Sequence, residues 1–361
     1  MLFVYIKKKD INIVNFFVIV WAFHLPLWFF LDDQFSLPYE FSFLLKSTFF
    51  FIIYEALRRI TVVNKEKYII KYLKLYYKAA TGLICFSFIT GLGLSTYGKW
   101  GFGTKSFFSA QNDIGITILI LFAFFLFNKR DFRIHWLWLL TGYLSLLFMA
   151  TTTGMLISTA IFLLYIFLQF LYGKMSVLKK VIIFFLSFIA LISTTIYMYS
   201  MIQSSNYFST KYEKILEKGV RSDVTNWAND YFDSRGNTKM IFGEGMSSFS
   251  NNFARSSKGD KKKLSKEKGA YVERDYHDIK GAYGTVLLSI MLFFYGLLLF
   301  KLTFKFLNEK SFFSLSVLII CCLAYLHGFM AGHVFYSPTV AGILASIFIL
   351  GLMKNKVTYE N

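Results

Sequence analysis

The stretch YVERDYHDIKGAYG, Tyr271 to Gly284, sets Glu273, Asp275 and His277 at alternate positions, with Arg274 between them, directly before a long apolar run. If this backbone is extended, the two acids and the imidazole point the same way. If it is helical, Glu273 and His277 share a face and Asp275 lies elsewhere. Either arrangement delivers a carboxylate or an imidazole to the head of the apolar segment, where Asp275, Glu273 or His277 suits general-base work and Arg274 supplies a cation for an anionic substrate. The plainer reading is a solvated helix start, since acids are favourable at a helix N-terminus. The donor types also match several divalent ions, but no second His lies nearby and the spacing is not diagnostic, so no metal and no cofactor is assigned.

Two further groups lie upstream. In KYEKILEKGVRSDVTNWANDYF, residues Tyr212, Leu216, Val220, Val224, Trp227 and Tyr231 recur every three or four positions and describe one apolar face, on one helix or on two short ones broken at Gly219. Arg221 sits beside that break, with Ser222 and Asp223 suited to start the second helix. A guanidinium next to exposed helix N–H groups is a ready phosphate site, and a snorkelling surface cation is the alternative. In MIFGEGMSSFSNNF, Gly243 and Gly245 provide a tight turn or a close backbone approach.

The elements that must hold these groups are set by composition. Of 361 residues, 56% are hydrophobic and 20% aromatic, with 44 Phe; the mean hydropathy is +0.51. That excess over a soluble domain predicts an all-α polytopic membrane protein. Apolar stretches long enough to cross a bilayer are placed at 11–32, 40–57, 78–98, 112–128, 134–150, 154–172, 180–201, 279–302, 312–330 and 337–353, about ten transmembrane helices. The first follows MLFVYIKKKD without a small-residue cleavage site and is expected to be retained.

More than half of the 39 basic residues fall in alternate short connections, among them Lys7 to Lys9, Arg58 to Lys78, Lys129 to Arg133 and Lys301 to Lys310. The positive-inside bias therefore places both termini in the cytoplasm and accounts for much of the +18 net charge, without a nucleic-acid partner. The chain divides into membrane helices over 1–201, one large extracytoplasmic loop over 202–278, and membrane helices over 279–361. A loop of that length crosses regardless of its lysines. Its part SSKGDKKKLSKEKG is charged and nearly free of apolar side chains. The cysteines Cys85, Cys321 and Cys322 all lie in apolar runs, away from any disulfide or metal framework.

Within the spans, Glu55 has Arg58 and Arg59 as local ion-pair partners, and Lys46 is too far along the helix to reach it. His24 and His327 read as bundle-facing hydrogen-bonding groups. Asp113 opens the fourth span on the outer side, where it helps shape a site. His333 lies in an outer turn within reach of that site, with nothing in its spacing to single it out.

Taken in order, GVRSDVTNWANDYF, IFGEGMSSF and VERDYHDIKGAYGTVLL resemble the motifs of the O-antigen polymerase and O-antigen ligase superfamily: an Arg before a short helix, a Phe-Gly-x-Gly turn, and an acid-or-His cluster followed by Tyr-Gly. QNDIGITILI, Gln111 to Ile120, is similar to the Asn-containing start of a helix in that group, and TTTGMLIS, Thr151 to Ser158, to a further segment. The match runs over roughly residues 80–310. It departs at Thr152, where the family segment often carries Arg, and at Glu273-x-Asp275, where ligases favour His-Asn; the second departure tilts the reading toward a polymerase.

The resemblance implies a GT-C-like architecture in the bacterial cytoplasmic (inner) membrane, and a metal-independent, inverting transfer of glycan from an undecaprenyl-pyrophosphate carrier at the outer face. Asp275, Glu273 or His277 would be the base, Arg221 and Arg274 would neutralise the pyrophosphate, and Trp227, Asp113, Gly243 and Gly245 would complete the substrate site. Membrane lipids, a chain-length regulator and a flippase are the implied partners. The alternatives are a ligase acting on lipid A-core and a lipid-linked oligosaccharide flippase. A transporter should show related halves with broken helices near the midplane, and no such repeat is found.

Overall fold

The computed structural model describes residues 13–31, 35–60, 63–97, 102–129, 131–172, 222–256 and 272–353, with scattered positions between 176 and 200. These residues are mostly helical: α1 (Ile13–Leu31), α2 (Leu37–Arg59), α3 (Lys65–Thr90), α4 (Gln111–Phe127), α5 (Trp136–Phe148), α6 (Thr152–Tyr172), α7 (Ser222–Asp233), α8 (Asn237–Phe242), α9 (Met246–Ser256), α10 (Asp275–Glu309), α11 (Phe312–Met330) and α12 (Pro338–Leu352). Among the described residues α1, α10 and α11 contain stretches long and apolar enough to cross a membrane, and α4, α5, α6 and α12 are shorter apolar helices. Exposed apolar side chains such as Phe30 (81%) and Ile89 (79%) are unfavourable against water, so this is a membrane-associated helical protein.

The all-α expectation needs one correction. The span read over 78–98 stops at Thr90, and the chain turns into an antiparallel hairpin of β1 (Leu94–Tyr97) and β2 (Phe102–Ser106), registered Ser95 to Thr104 and Tyr97 to Phe102. Apolar content carried the helix reading past its true end. Elsewhere the local chemistry agrees with the boundaries. Ser311 and Ser337 cap α11 and α12 by accepting the N–H groups of Ser314 (3.1 Å) and Val340 (3.4 Å), and Pro338 occupies the first turn of α12.

The centre of the bundle is α4, buried continuously from Ile114 to Phe127. It packs on α3, α5, α6, α11 and α12, which is why its sequence is apolar all round rather than on one stripe. The other close pairs are α2 with α12, α10 with α11, and α3 with α5.

The two ends of the bundle differ chemically. At one, the end of α2 holds Glu55 between Arg58 (2.8 Å) and Arg59 (2.7 Å), as its sequence neighbours require. There, too, Lys65 donates to the Leu57 carbonyl (3.1 Å), Ser316 to Asn128 (3.1 Å), and Lys305 to the Met353 carbonyl. At the other end lie the start of α2, α4, α6, α10 and α12 and the end of α11. Here the buried carboxylates Glu40, Glu244, Asp275 and Asp278 collect, together with Asp113 and His333.

Candidate functional site

The motif IFGEGMSSF joins α8 to α9 and is fixed from two sides. Gly243 (φ 79°, ψ −176°) and Gly284 (φ 78°, ψ 175°) occupy a region open essentially to glycine alone, and they face one another. A Cβ on Gly284 would lie 2.2 Å from the Ile241 carbonyl oxygen, and one on Gly243 would lie 2.2 Å from that of Ala282. Gly284 thereby kinks α10, and the Glu244 and Gly245 N–H groups donate to the Ala282 carbonyl (3.1 and 2.8 Å). From below, Glu40 of α2, fully buried, accepts the N–H groups of Met246 (2.7 Å) and Ser247 (2.6 Å) and the Ser247 hydroxyl. A carboxylate at a helix start meets both the free donors and the positive end of the dipole. Of the two readings of this Gly-x-Gly, the close backbone approach is the one formed.

Around Glu244 a buried network forms. Tyr231 donates to one carboxylate oxygen; Arg235 (3.4 Å), Lys239 (3.3 Å) and Asn252 (3.2 Å) converge on the group, and Arg235 also donates to the Gly281 carbonyl (2.8 Å). The Arg235 guanidinium lies over the Phe232 ring at 4.8 Å, with Lys280 at the same distance from that ring. Burial pulls the Arg235 guanidinium down and Glu244 opposes it. The network holds α7 and α8 to α10. The helix start read at Ser222 is present; of the expected apolar face Tyr231 is buried and Val224 half-buried, with Ala228 and Phe232 buried beside them, while Tyr212, Leu216, Gly219 and Val220 lie outside the described residues. Trp227 is half-buried against the core. Arg221 and the segment 257–271 lie outside the described residues.

The opening cluster adopts neither simple pattern. Glu273 lies outside the helix with φ 58°, exposed; Arg274 is the N-cap residue and half-buried; α10 begins at Asp275. Asp275 is turned inward, 2% exposed. Its carboxylate accepts three backbone N–H groups, from His333 (2.8 Å), Val334 (2.7 Å) and Phe335 (2.9 Å). Asp278 accepts the Val272 N–H at 2.8 Å. His277 stacks on Phe232, with ring centroids 6.3 Å apart. Of the groups singled out at this helix start, Asp275 therefore does the same physical work as Glu40, satisfying buried backbone donors, and Asp278, not among them, does so beside it.

The turn held by Asp275 carries His333 to a cleft of about 60 Å³. The walls are Gln111, Asn112, Gly115, Ile116 and Leu119 of α4, Thr151, Thr153 and Gly154 at the start of α6, and His327, Ala331 and His333 at and beyond the end of α11. These are the segments QNDIGITILI and TTTGMLIS, brought together. The Thr151 hydroxyl caps α6 by accepting the Gly154 N–H (3.1 Å). His333 Nδ1 lies 3.2 Å from Asp113 Oδ1, and Asn112 Nδ2 lies 3.1 Å from His333 Nε2. The pairing matches an imidazole that donates from Nδ1 to the carboxylate and presents Nε2 as acceptor. Burial alone lowers the His333 pKa; the hydrogen bond and charge of Asp113, with Asp275 and Glu273 behind it, outweigh burial and leave it above its ordinary value.

His333 has φ 65° and Ala150, next to the cleft wall, φ 55°. Each costs about 1 kcal/mol or more for a residue with a Cβ, and such strain gathers where a particular presentation is needed. No protein-family model, curated protein or solved structure matches this chain.

Of the residues read from sequence, the cleft region unites Asp113 with the turn clamped by Asp275. Gly243 and Gly245 belong to the neighbouring docked loop, while His277 and Trp227 are packed elsewhere. Nothing in the spacing of the sequence marks Asn112, Thr151, Thr153, His327 or His333 as site residues. The signal for His333 was the AGH turn facing Asn112-Asp113 across the expected outer surface.

Proposed function

We propose that this chain is a bacterial inner-membrane glycosyltransferase that polymerises undecaprenyl-pyrophosphate-linked oligosaccharide repeats into O-antigen or capsular polysaccharide. In this reading about ten spans carry the cleft at the outer face. The observation that carries it is the meeting, at one end of the bundle, of segments that separately resemble the polymerase and ligase superfamily, around a cleft lined by His333, whose ring is paired with Asp113.

Asp113 holds the His333 ring with Nδ1 protonated. Nε2 exchanges Asn112 for one hydroxyl of the acceptor sugar and takes its proton as the oxygen attacks the donor's anomeric carbon. The new glycosidic C–O bond forms as the bond to pyrophosphate breaks, inverting that carbon. Undecaprenyl pyrophosphate leaves with the electron pair, and cations must neutralise it. Arg274, at the head of α10, is one such cation on the described part of the chain, and Arg221 is the other by resemblance.

Deleting the gene is expected to remove the long-chain glycan ladder and leave single-repeat bands; loss of both would mark a ligase. In the complemented strain, Arg221→Ala should lower elongation about a hundredfold, some ~3 kcal/mol of transition-state stabilisation. Arg221→Lys should also be impaired, because it keeps charge but loses the bidentate fork. Normal elongation by Arg221→Ala at normal abundance would make Arg221 an interfacial anchor only.

A further inference from the structure

The acid next to the cleft works at one remove from any substrate. We propose that Asp275 is a positioning residue whose carboxylate locks the 332–335 turn, left-handed at Gly332 and His333, and so presents the His333 imidazole to Asp113 and the cleft. The inference rests on the reading of His333 as the base, but its structural half can be tested without any activity.

Three observations carry it. First, both Asp275 oxygens are committed to consecutive backbone donors, Oδ1 to the His333 N–H and Oδ2 to those of Val334 and Phe335, all within 2.9 Å. Three bonds from one buried anion to three successive amides dictate the course of the backbone there. Second, that course is unfavourable in itself: Gly332 (φ 69°) and His333 (φ 65°) are both left-handed, and only the first is a glycine. A conformation of this kind persists where surrounding contacts over-determine it. Third, the turn has no room to relax toward α10, since a Cβ at residue 332 would lie 2.6 Å from the Glu273 carbonyl oxygen.

The charged and titratable groups facing His333 are Asp113 from α4, Asp275 and Glu273 from the head of α10, and His327, which lines the same cleft from α11. Asp113 touches the ring itself, whereas Asp275 holds the main chain that carries it.

The test uses the full-length protein purified in detergent. Tm is measured for His333→Gly and His333→Ala, each with and without Asp275→Asn. With Asp275 present, the Gly variant should melt higher than the Ala variant, because glycine adopts φ 65° without cost. With Asp275→Asn that gap should shrink, since the turn is no longer held left-handed. An unchanged gap would overturn the clamp.

Elongation of lipid-pyrophosphate-linked repeats is then compared for Asp275→Asn, His333→Gln and the double variant. Asp275→Asn alone should slow elongation about tenfold to hundredfold, as misplacement of a reacting group does. It should add nothing further in the His333→Gln background. Losses that multiply would overturn the positioning role. Full activity of His333→Gln would instead sink the base assignment, while the Tm comparison still judged the clamp. If Asp275→Asn does not fold, Asp275→Glu, whose extra methylene displaces both acceptor oxygens from the three N–H groups they meet, takes its place in both arms; a wild-type rate and an unchanged Gly–Ala gap would overturn the inference.

Discussion

His333→Gln is expected to reduce glycan elongation by about 10²-fold to 10⁴-fold at normal protein abundance, the range for loss of a positioned general base. Glutamine keeps polarity and approximate size at the cleft but cannot take a proton from the acceptor hydroxyl. The pH dependence separates this from a loss of binding. As the proposed base His333 would act in its neutral form, and Asp113, with Asp275 and Glu273 behind it, holds its pKa above the ordinary value. The acid limb of the rate profile should therefore lie above about pH 6.5, the unperturbed value for histidine. Asp113→Asn removes the charge that raises the limb. It should move the limb toward lower pH while also lowering the plateau, because the ring loses the carboxylate that fixes its tautomer. A profile whose acid limb stays put in Asp113→Asn would place the titrating group elsewhere.

Gly284→Ala should lose most of the folded protein. The backbone at Gly284, φ 78° and ψ 175°, is closed to residues with a Cβ, and the added carbon would sit 2.2 Å from the Ile241 carbonyl oxygen and 2.5 Å from the Gly243 nitrogen. Neither neighbour is a flexible side chain that can move aside. Strain and clash together should cost on the order of 4 kcal/mol, among the largest single-residue effects. Gly296→Ala, in the same helix with nothing near its Cβ position, is the matched control and should behave as wild type or better. Equal yield and Tm for the two variants would mean that the α8–α9 loop does not dock against the kink as described.

The long apolar helices could be read directly, because a run of bilayer length has few other uses. The span expected at 312–330 is α11 itself, and the apolar runs at 337–353 and 112–128 differ by a residue or so at either end from the shorter apolar helices α12 and α4. The hairpin after Thr90 is marked by Gly91 and Gly93, both with positive φ and the first of them the C-cap of α3; a reading by apolar content counts Leu92 and Leu94 and passes over that break. The duties of the acids were hidden for a different reason. Glu40 is fixed by Met246 and Ser247, and Asp275 by His333 to Phe335, in both cases through backbone N–H groups far along the chain. Every residue except proline has that donor, so no letter in the sequence marks the partner. In the proposed function the chemistry expected of Asp275 from its type and spacing falls to the imidazole whose backbone its carboxylate holds. The same limit applies to His333, whose partners Asn112 and Asp113 stand on another helix.

In the proposed function this chain joins lipid-linked repeats with His333 as the base. The most direct measurement reconstitutes the purified protein with undecaprenyl-pyrophosphate-linked repeat units and follows glycan length over time, for wild type and for His333→Gln. Wild type is expected to give a ladder of added repeats with release of undecaprenyl pyrophosphate, and His333→Gln at most about a hundredth of that rate. Elongation at the same rate by both proteins, or none by folded wild type supplied with its own organism's repeat unit, would contradict it.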